Sequence, residues 1–191
     1  TLRETFTADL AGNTLSVIVL AGMIGTLVFT GIQLTKPTPA IPRSNIWLVP
    51  VLSLIGLGVA LYLSYVEVTR TEAVCGPVGN CNTVQQSPYA TLFGVLPVGV
   101  LGTIGYILIL VFWLLKEAGP ASWKRYLLFG LWAATLFGVL FSIYLTFLEP
   151  FVIGASCLWC LSSAVIMTIL FAETTRELEA GARTAPGEPY A

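Results

Sequence analysis

The sequence predicts an all-α integral membrane protein with five transmembrane helices. Hydrophobic residues make up 56% of its 191 residues and charged residues 10%, against roughly 25% charged in ordinary globular proteins. Its mean hydropathy is +0.86. The apolar residues also come in blocks of about 20, the length that crosses the ~30 Å hydrocarbon core of a bilayer. The lipid bilayer is therefore the expected environment of the chain. The sequence has no stripe of basic residues that would indicate nucleic-acid binding.

Five apolar blocks are expected to form the spanning helices. They cover about residues 15–34, 46–68, 92–115, 123–148 and 157–172. Asn13 and Thr14 could cap the first helix. A cleaved signal peptide is the rival interpretation of that block, but its apolar region would be shorter and would follow basic residues. Two helices carry small residues four apart, which let helix backbones approach closely in lipid: Gly56, Ala60 and Ser64, then Gly130, Ala134, Gly138 and Ser142.

The chain divides into three parts. Residues 1–45 form an N-terminal transmembrane helix and a proline-rich linker, and residues 46–173 form a bundle of four helices with a long loop at 70–91. Residues 174–191 form a charged tail that we expect to be cytoplasmic and disordered toward its end, because it is rich in proline, glycine and charge.

Loop charges predict how the helices run across the membrane. With the N-terminus outside, most of the lysine and arginine residues fall on the inner side, namely Lys36, Arg43, Lys116, Lys124, Arg125, Arg176 and Arg183. Arg3 and Arg70 fall on the outer side. We therefore expect a multi-pass protein of the cell inner (plasma) membrane with a cytoplasmic C-terminus. Both cysteine pairs then lie on the extracytoplasmic, oxidising side.

Two cysteines, Cys157 and Cys160, open the last apolar block in a C-x-x-C arrangement. The first turn of a helix offers unpaired N–H groups and the positive end of its dipole, and both favour a thiolate. Ser156 is a candidate cap for this helix. The alternative is a pair of buried cysteines that serve as small apolar residues. Their position at the membrane interface favours a redox pair.

The other two cysteines, Cys75 and Cys81, lie in the polar loop. Two glycines and a proline between them allow the chain to turn back, so the thiols could form a disulfide or move independently. A static structural disulfide remains an alternative. A zinc site built from all four cysteines fits the spacing poorly, and we expect no metal. Two dithiols on one membrane face suggest a relay that works through mixed disulfides.

Residues 82–90 follow the loop pair and could form a short helix at the interface or a simple turn before Pro88. In the helical form, Ser87 would offer its hydroxyl to the membrane site. Glu67 and Glu149 lie at helix ends, and the helix centres carry no charge, which disfavours transport of ions. A dithiol that meets lipid and lacks a metal needs a lipid-soluble electron acceptor. A quinone is the expected acceptor.

The order of these motifs resembles the vitamin K epoxide reductase family in its bacterial form. The resemblance covers about residues 46–172 and consists of C-x5-C followed by V-Q-Q-S-P-Y-A, then F-G-V-L-P-V-G-V-L-G-x-x-G-Y, then the late C-x-x-C. It implies a four-helix bundle around a quinone of the menaquinone, ubiquinone or vitamin K type. The extra N-terminal helix would pack against this bundle from outside.

The resemblance also implies a role for each cysteine. Cys160 would react with the quinone, and Cys157 would receive electrons from the loop. Cys81 would attack the Cys157–Cys160 disulfide, and Cys75 would meet a thioredoxin-like partner. Ser87 matches a family serine near the quinone carbonyl.

The chain departs from the family pattern in two respects. Many bacterial members continue into a fused thioredoxin-like domain, which the given sequence does not contain, so either a separate DsbA-like extracytoplasmic protein is the expected partner or the fused domain was cut away. The asparagine and tyrosine with which vertebrate members hold the vitamin's oxygens have no clear counterpart. Ala164 stands where that tyrosine would be. This favours reduction of a quinone over reduction of an epoxide.

The predicted function is a membrane thiol–quinone oxidoreductase that supports disulfide formation in secreted proteins. A vitamin K epoxide or quinone reductase proper is one alternative. The DsbB type of disulfide generator is another, but there the C-x-x-C precedes the second pair. A non-enzymatic membrane subunit with a structural disulfide is the alternative from a different class.

Overall fold

Five long helices form the body of the protein in the computed structural model, which describes residues 2–35, 47–76, 79–92 and 94–183. They are α2 (Leu10–Thr35), α3 (Leu48–Thr69), α5 (Val98–Ala118), α6 (Ala121–Leu148) and α7 (Leu158–Arg183). Within those ranges, these five helices are long and apolar enough to cross a membrane. The chain is therefore a multi-pass membrane protein with an all-α bundle, as the sequence predicts.

Short elements lie at one end of this bundle. They are α1 (Leu2–Thr7), α4 (Cys81–Gln85), a 3₁₀ turn (Pro88–Ala90), the antiparallel pair β1 (Thr91–Leu92) and β2 (Leu96–Pro97), and a π-helical turn (Glu149–Ile153). We call this the cysteine end, because both cysteine pairs lie there. The opposite end contains the last turns of α2, α5 and α7.

Small residues let the helices pack closely, as their spacing predicts. Gly56 of α3 lies against the ring of Tyr106, so that a Cβ atom at this position would overlap the ring. The hydroxyl groups of Ser64 and Thr103 are 3.0 Å apart between α3 and α5. Gly138 of α6 faces Met167 of α7 in the same way. These contacts hold α3, α5, α6 and α7 around the apolar core of the bundle.

Two predicted helix starts were wrong. Helix α2 begins at Leu10, so Asn13 lies inside the helix and does not cap it; its amide nitrogen donates to the Phe6 carbonyl at 2.9 Å. Helix α5 begins at Val98 and not near residue 92, because residues 91–97 form the two-stranded hairpin. Helix α6 ends at Leu148, close to the predicted end, and the π-helical turn Glu149–Ile153 follows it directly.

Helix α7 extends to Arg183, well beyond the predicted end near residue 172. Residues 174–183 are therefore helical, in contrast to the expected tail. Buried partners explain the difference: the Thr174 hydroxyl lies 2.8 Å from that of Thr135, and the Trp132 indole N–H donates to Thr175 at 3.1 Å. Residues 36–46, which contain the predicted linker, and residues 184–191 at the end of the tail lie outside the described residues.

Candidate functional site

The loop cysteines are joined in the structure. Cys75 and Cys81 form a disulfide, with their Cα atoms 5.9 Å apart. Cys81 begins α4 and is fully buried, whereas Cys75 is partly exposed. Asn80 caps α4, since its side-chain oxygen accepts the Thr83 N–H at 3.2 Å. The disulfide thus has one sulfur inside the protein and one near its surface.

The loop that carries this disulfide is bound to the segment before α7. The Asn80 N–H donates to the Ser156 carbonyl at 2.9 Å. Gly79, the residue before Asn80, has φ +87°, and a Cβ atom on it would overlap the same Ser156 carbonyl. The close approach therefore requires glycine.

The C-x-x-C motif itself contacts the loop near Cys75. The indole N–H of Trp159 donates to the Val74 carbonyl at 2.9 Å, and the Val74 N–H donates to the Tyr62 hydroxyl at 2.8 Å. The rings of Tyr62 and Trp159 lie 4.8 Å apart, centre to centre. Cys81 and Cys157 are both fully buried in one hydrophobic cluster, which Cys75 and Cys160 flank. The four predicted site cysteines therefore lie together at one end of the bundle.

Cys157 and Cys160 are free thiols in this structure. Cys157 directly precedes α7, and its sulfur accepts the Cys160 N–H at 3.4 Å, so Cys157 is the residue that caps the helix. The predicted cap, Ser156, was wrong: its hydroxyl donates to Asn13 at 3.1 Å. A side-chain hydrogen bond from Cys160 is the main cause of the lowered pKa of the Cys157 thiol. The N–H groups of Cys160 and Trp159 also lower this pKa, whereas burial raises it.

Gln85 is a site residue that the sequence analysis missed. Its side-chain nitrogen lies 3.9 Å from the Cys157 sulfur and 3.7 Å from the Cys160 sulfur. Its amide oxygen is buried without a hydrogen-bond partner among the described residues. Gln85 follows Cys81 by four residues, so both side chains lie on one face of α4. That spacing is the feature of the sequence that could have identified it.

Cys160 also lines a cavity of about 230 Å³ between α3, α5, α6 and α7. Its walls are mainly apolar, and they include Phe137 and Phe141. Ser87 is among the residues that line the cavity, while its hydroxyl donates to the Val84 carbonyl at 2.7 Å. Residues 82–90 combine the two forms that the sequence left open, since a short helix is followed by a serine turn before Pro88.

Two carboxyl groups face this cavity, and their positions in the sequence indicated no role for either. Glu67 accepts the N–H of Gly99 at 2.7 Å, in the first turn of α5. Glu149 is 2% exposed, and its side chain contacts the hydroxyl of Ser16 at 2.8 Å and the N–H of Cys157. A cluster of thiols, an amide and two carboxyl groups beside an apolar cavity can exchange both electrons and protons.

Two comparisons with known proteins bear on this site. The profile of a family described as "Vitamin K epoxide reductase family" matches residues 47–175, a range that includes both cysteine pairs. A protein named thiol-disulfide oxidoreductase LTO1, from Arabidopsis thaliana, is 32% identical to the chain over 128 residues. This match covers 62% of the chain and 32% of the relative's length. Both comparisons support a membrane thiol oxidoreductase.

Proposed function

The chain belongs to the vitamin K epoxide reductase family, and we propose that it is a membrane thiol–quinone oxidoreductase. One observation carries the proposal: Cys160 lines an apolar cavity between transmembrane helices, while its partner Cys157 is buried in one cluster with Cys81 of the loop disulfide. This arrangement supports transfer of electrons from the surface of the protein to a lipid-soluble acceptor.

The electrons would enter at the loop disulfide. A thiolate of a thioredoxin-like partner attacks Cys75, which is the more exposed sulfur, and the partner's second thiol closes its own disulfide and leaves Cys75 and Cys81 reduced. Cys81 then attacks Cys157 in a Cys157–Cys160 disulfide. Cys75 resolves this mixed disulfide and restores the loop disulfide. A loop disulfide together with two free thiols in the C-x-x-C, the pairing of Cys75 with Cys81 described above, is the state that this step would produce.

The cavity residues fit a quinone. The walls are mainly apolar, as a quinone ring and its isoprenoid chain require. Ser87 and Gln85, whose amide nitrogen lies 3.7 Å from the Cys160 sulfur, are polar side chains on the cavity wall that could meet a carbonyl oxygen. A bound quinone would supply an acceptor for two electrons and two protons, which become a quinol as Cys157 and Cys160 form a disulfide. Ala164 on the cavity wall supplies no hydroxyl group, which favours a quinone over an epoxide as substrate.

The orientation and cellular role belong to the same proposal. The excess of basic residues predicted for the opposite end favours a cytoplasmic position for it, which leaves the cysteine end outside the plasma membrane. A thioredoxin-like partner that is oxidised there would deliver disulfides to secreted proteins. The net reaction converts two partner thiols and one quinone into one disulfide and one quinol.

The variant Cys160→Ala tests this function. We expect quinol formation from a reduced thioredoxin-like protein to fall to the background rate, because the sulfur at the cavity is lost. A disulfide-trapped complex between the partner and Cys75 should still form. Stopped-flow absorbance of the quinone measures the rate, with menaquinone and ubiquinone analogues compared.

The matched control is Ser162→Ala, because Ser162 is an exposed residue on the same helix whose hydroxyl bonds only to its own helix backbone at Leu158. We expect this variant to keep its full rate. Quinol formation that survives in Cys160→Ala would refute the proposal. A wild-type protein that binds the partner but reduces none of the quinones would favour a structural role for the loop disulfide.

A further inference from the structure

A row of buried polar groups joins the N-terminal helix to the C-x-x-C motif. The Ser16 hydroxyl of α2 lies 2.8 Å from the Glu149 carboxyl oxygen and 2.8 Å from the Ser156 hydroxyl. The Ser156 hydroxyl lies 3.1 Å from the side-chain oxygen of Asn13. All four residues are at most 2% exposed. Ser156 and Glu149 both adjoin Cys157, the first along the chain and the second through the Cys157 N–H.

The number of hydrogen atoms that this row needs determines whether the Glu149 carboxyl group is protonated. The amide nitrogen of Asn13 donates to the Phe6 carbonyl at 2.9 Å, which fixes the amide orientation and makes its oxygen the acceptor at the end of the row. Three oxygen–oxygen contacts then need three hydrogen atoms. The hydroxyl groups of Ser16 and Ser156 supply two.

The third hydrogen can come only from Glu149. With an ionised carboxylate, the Ser16 hydrogen would point to Glu149 and the Ser156 hydrogen to Asn13, which leaves two hydroxyl oxygens facing each other at 2.8 Å with no hydrogen between them. A protonated carboxyl donates to Ser16, Ser16 donates to Ser156, and Ser156 donates to Asn13. Every contact is then satisfied, as buried polar groups require.

From this geometry we propose that Glu149 carries a proton beside the reduced C-x-x-C and is a catalytic proton donor for the reaction at the cavity. This inference rests on the proposed function and adds a residue to it. Glu149 fits the role because it lines the same cavity as Cys160 and hydrogen-bonds the backbone of Cys157.

The step balances in electrons and protons. Cys157 and Cys160 give up two electrons and two protons as their disulfide forms, and the quinone takes up both. Glu149 gives its proton to a quinone oxygen and recovers one from the Cys157 thiol, so the carboxyl group is unchanged after the turnover. While Glu149 is ionised, the Ser16 hydroxyl turns its hydrogen to the carboxylate and stabilises the charge.

The N-terminal helix therefore has a part in the site. Asn13 and Ser16 lie on α2, which precedes the residues that match the family profile. The prediction that this helix only packs against the bundle from outside is incomplete, since two of its polar side chains complete the row that holds Glu149. Ser16 acts here as a positioning residue, because it works through Glu149.

The variant Glu149→Gln tests the proposal directly. An amide can donate to Ser16 and accept from Cys157, so the row and the cysteine geometry persist, but the side chain can no longer release a proton. We expect quinol formation from prereduced protein to fall by about 10²-fold, within the range typical of general acid catalysis. The apparent affinity for quinone and the rate of reduction by the partner should be unchanged.

Infrared difference spectroscopy supplies a readout that is independent of the quinone. The reduced wild-type protein should show a carboxylic acid C=O band that shifts in D₂O and is absent from the E149Q variant. The control Glu117→Gln changes a carboxyl group at the opposite end and should leave both the band and the rate unchanged. A missing band in the wild type would overturn the protonated state. A full quinol rate in E149Q would overturn the catalytic role.

The pair Ser16→Ala and Thr14→Ala tests the positioning role. Removal of the Ser16 hydroxyl should shift the C=O band and slow quinol formation less than E149Q does. Thr14 is exposed on the same helix, and its hydroxyl bonds to its own helix at Leu10, so its variant should match the wild type. An unshifted C=O band in Ser16→Ala would contradict the hydrogen bond between Ser16 and the Glu149 carboxyl group. Failure of the proposed function would look different, because the wild type would then lack quinone reduction while keeping the band.

Discussion

The two ends of the bundle stabilise polar side chains in different ways. At the opposite end, Lys116 pairs with Glu177 at 2.8 Å, and Arg176 pairs with Glu173 at 2.7 Å. At the cysteine end, the Glu149 carboxyl is held by hydroxyl and N–H groups, and thiols receive an amide N–H from Gln85. Ion pairs fix charges in place, whereas neutral hydrogen bonds let a proton move at little cost. The difference suggests that one end anchors the helices and the other end performs the chemistry.

Tryptophan variants at the two ends should show the largest difference in the rate of electron transfer. Trp159→Phe removes the N–H that holds Val74 and retains a ring near Tyr62. We expect electron transfer from the partner to quinone to slow by about 10-fold, because a small displacement of reacting groups reduces the rate strongly. Quinol formation from prereduced protein should not change. Stopped-flow measurements of the two steps separate these effects.

Trp123→Phe is the control at the opposite end, where the side chain is 63% exposed. It should leave both rates unchanged. Equal rates for the wild type and Trp159→Phe in both steps would show that the loop stays in place without this hydrogen bond.

A charge variant at the opposite end should affect stability and not chemistry. Lys116→Met leaves the partly buried Glu177 without its partner, so we expect the free energy of unfolding to fall by about 1–3 kcal/mol. Thermal unfolding in detergent measures this change. Lys124→Met, at an exposed residue of α6, should unfold at the wild-type temperature. A clear loss of quinol formation in Lys116→Met, measured below its unfolding temperature, would contradict the division between the two ends.

The smallest expected effect is a shift in the pKa of the Cys157 thiol at the cysteine end. The Gln85 amide donates to the Cys157 sulfur and lowers its pKa, so Gln85→Ala should raise that pKa. The thiolate of the reduced protein should then appear at higher pH than in the wild type. Ultraviolet thiolate absorbance against pH measures the midpoint. Gln86→Ala changes the exposed neighbouring glutamine and should not move it. A midpoint that falls in Gln85→Ala would rule out the amide as a donor to the thiolate.

Features that depend on local composition could be predicted. The five spanning helices follow from apolar blocks of sufficient length, and the position of all four cysteines at one end follows from the order of those blocks. The close packing of α3 against a neighbouring helix follows from its small residues four apart. Each of these depends on residues within one segment or on the alternating direction of successive helices.

Features that depend on distant partners could not be predicted. The polar residues Thr174, Thr175 and Glu177 suggested the end of a helix, yet each has a partner on α5 or α6 that makes burial favourable. The sequence shows Glu149 only as a charge at a helix end, because Ser16, its partner, lies 133 residues earlier in the chain. Hydropathy sums the properties of one segment and contains no information about such pairs.

The sequence by itself determined that the chain crosses a membrane and that two dithiols share one face of it, because bilayer thickness and cysteine spacing act along a single segment. Only the tertiary structure decided which groups surround the thiols. The amide of Gln85, the carboxyl of Glu149 and the hydroxyl of Ser16 come from three separate segments, and their positions around the C-x-x-C motif result from the packing of helices that are remote in sequence.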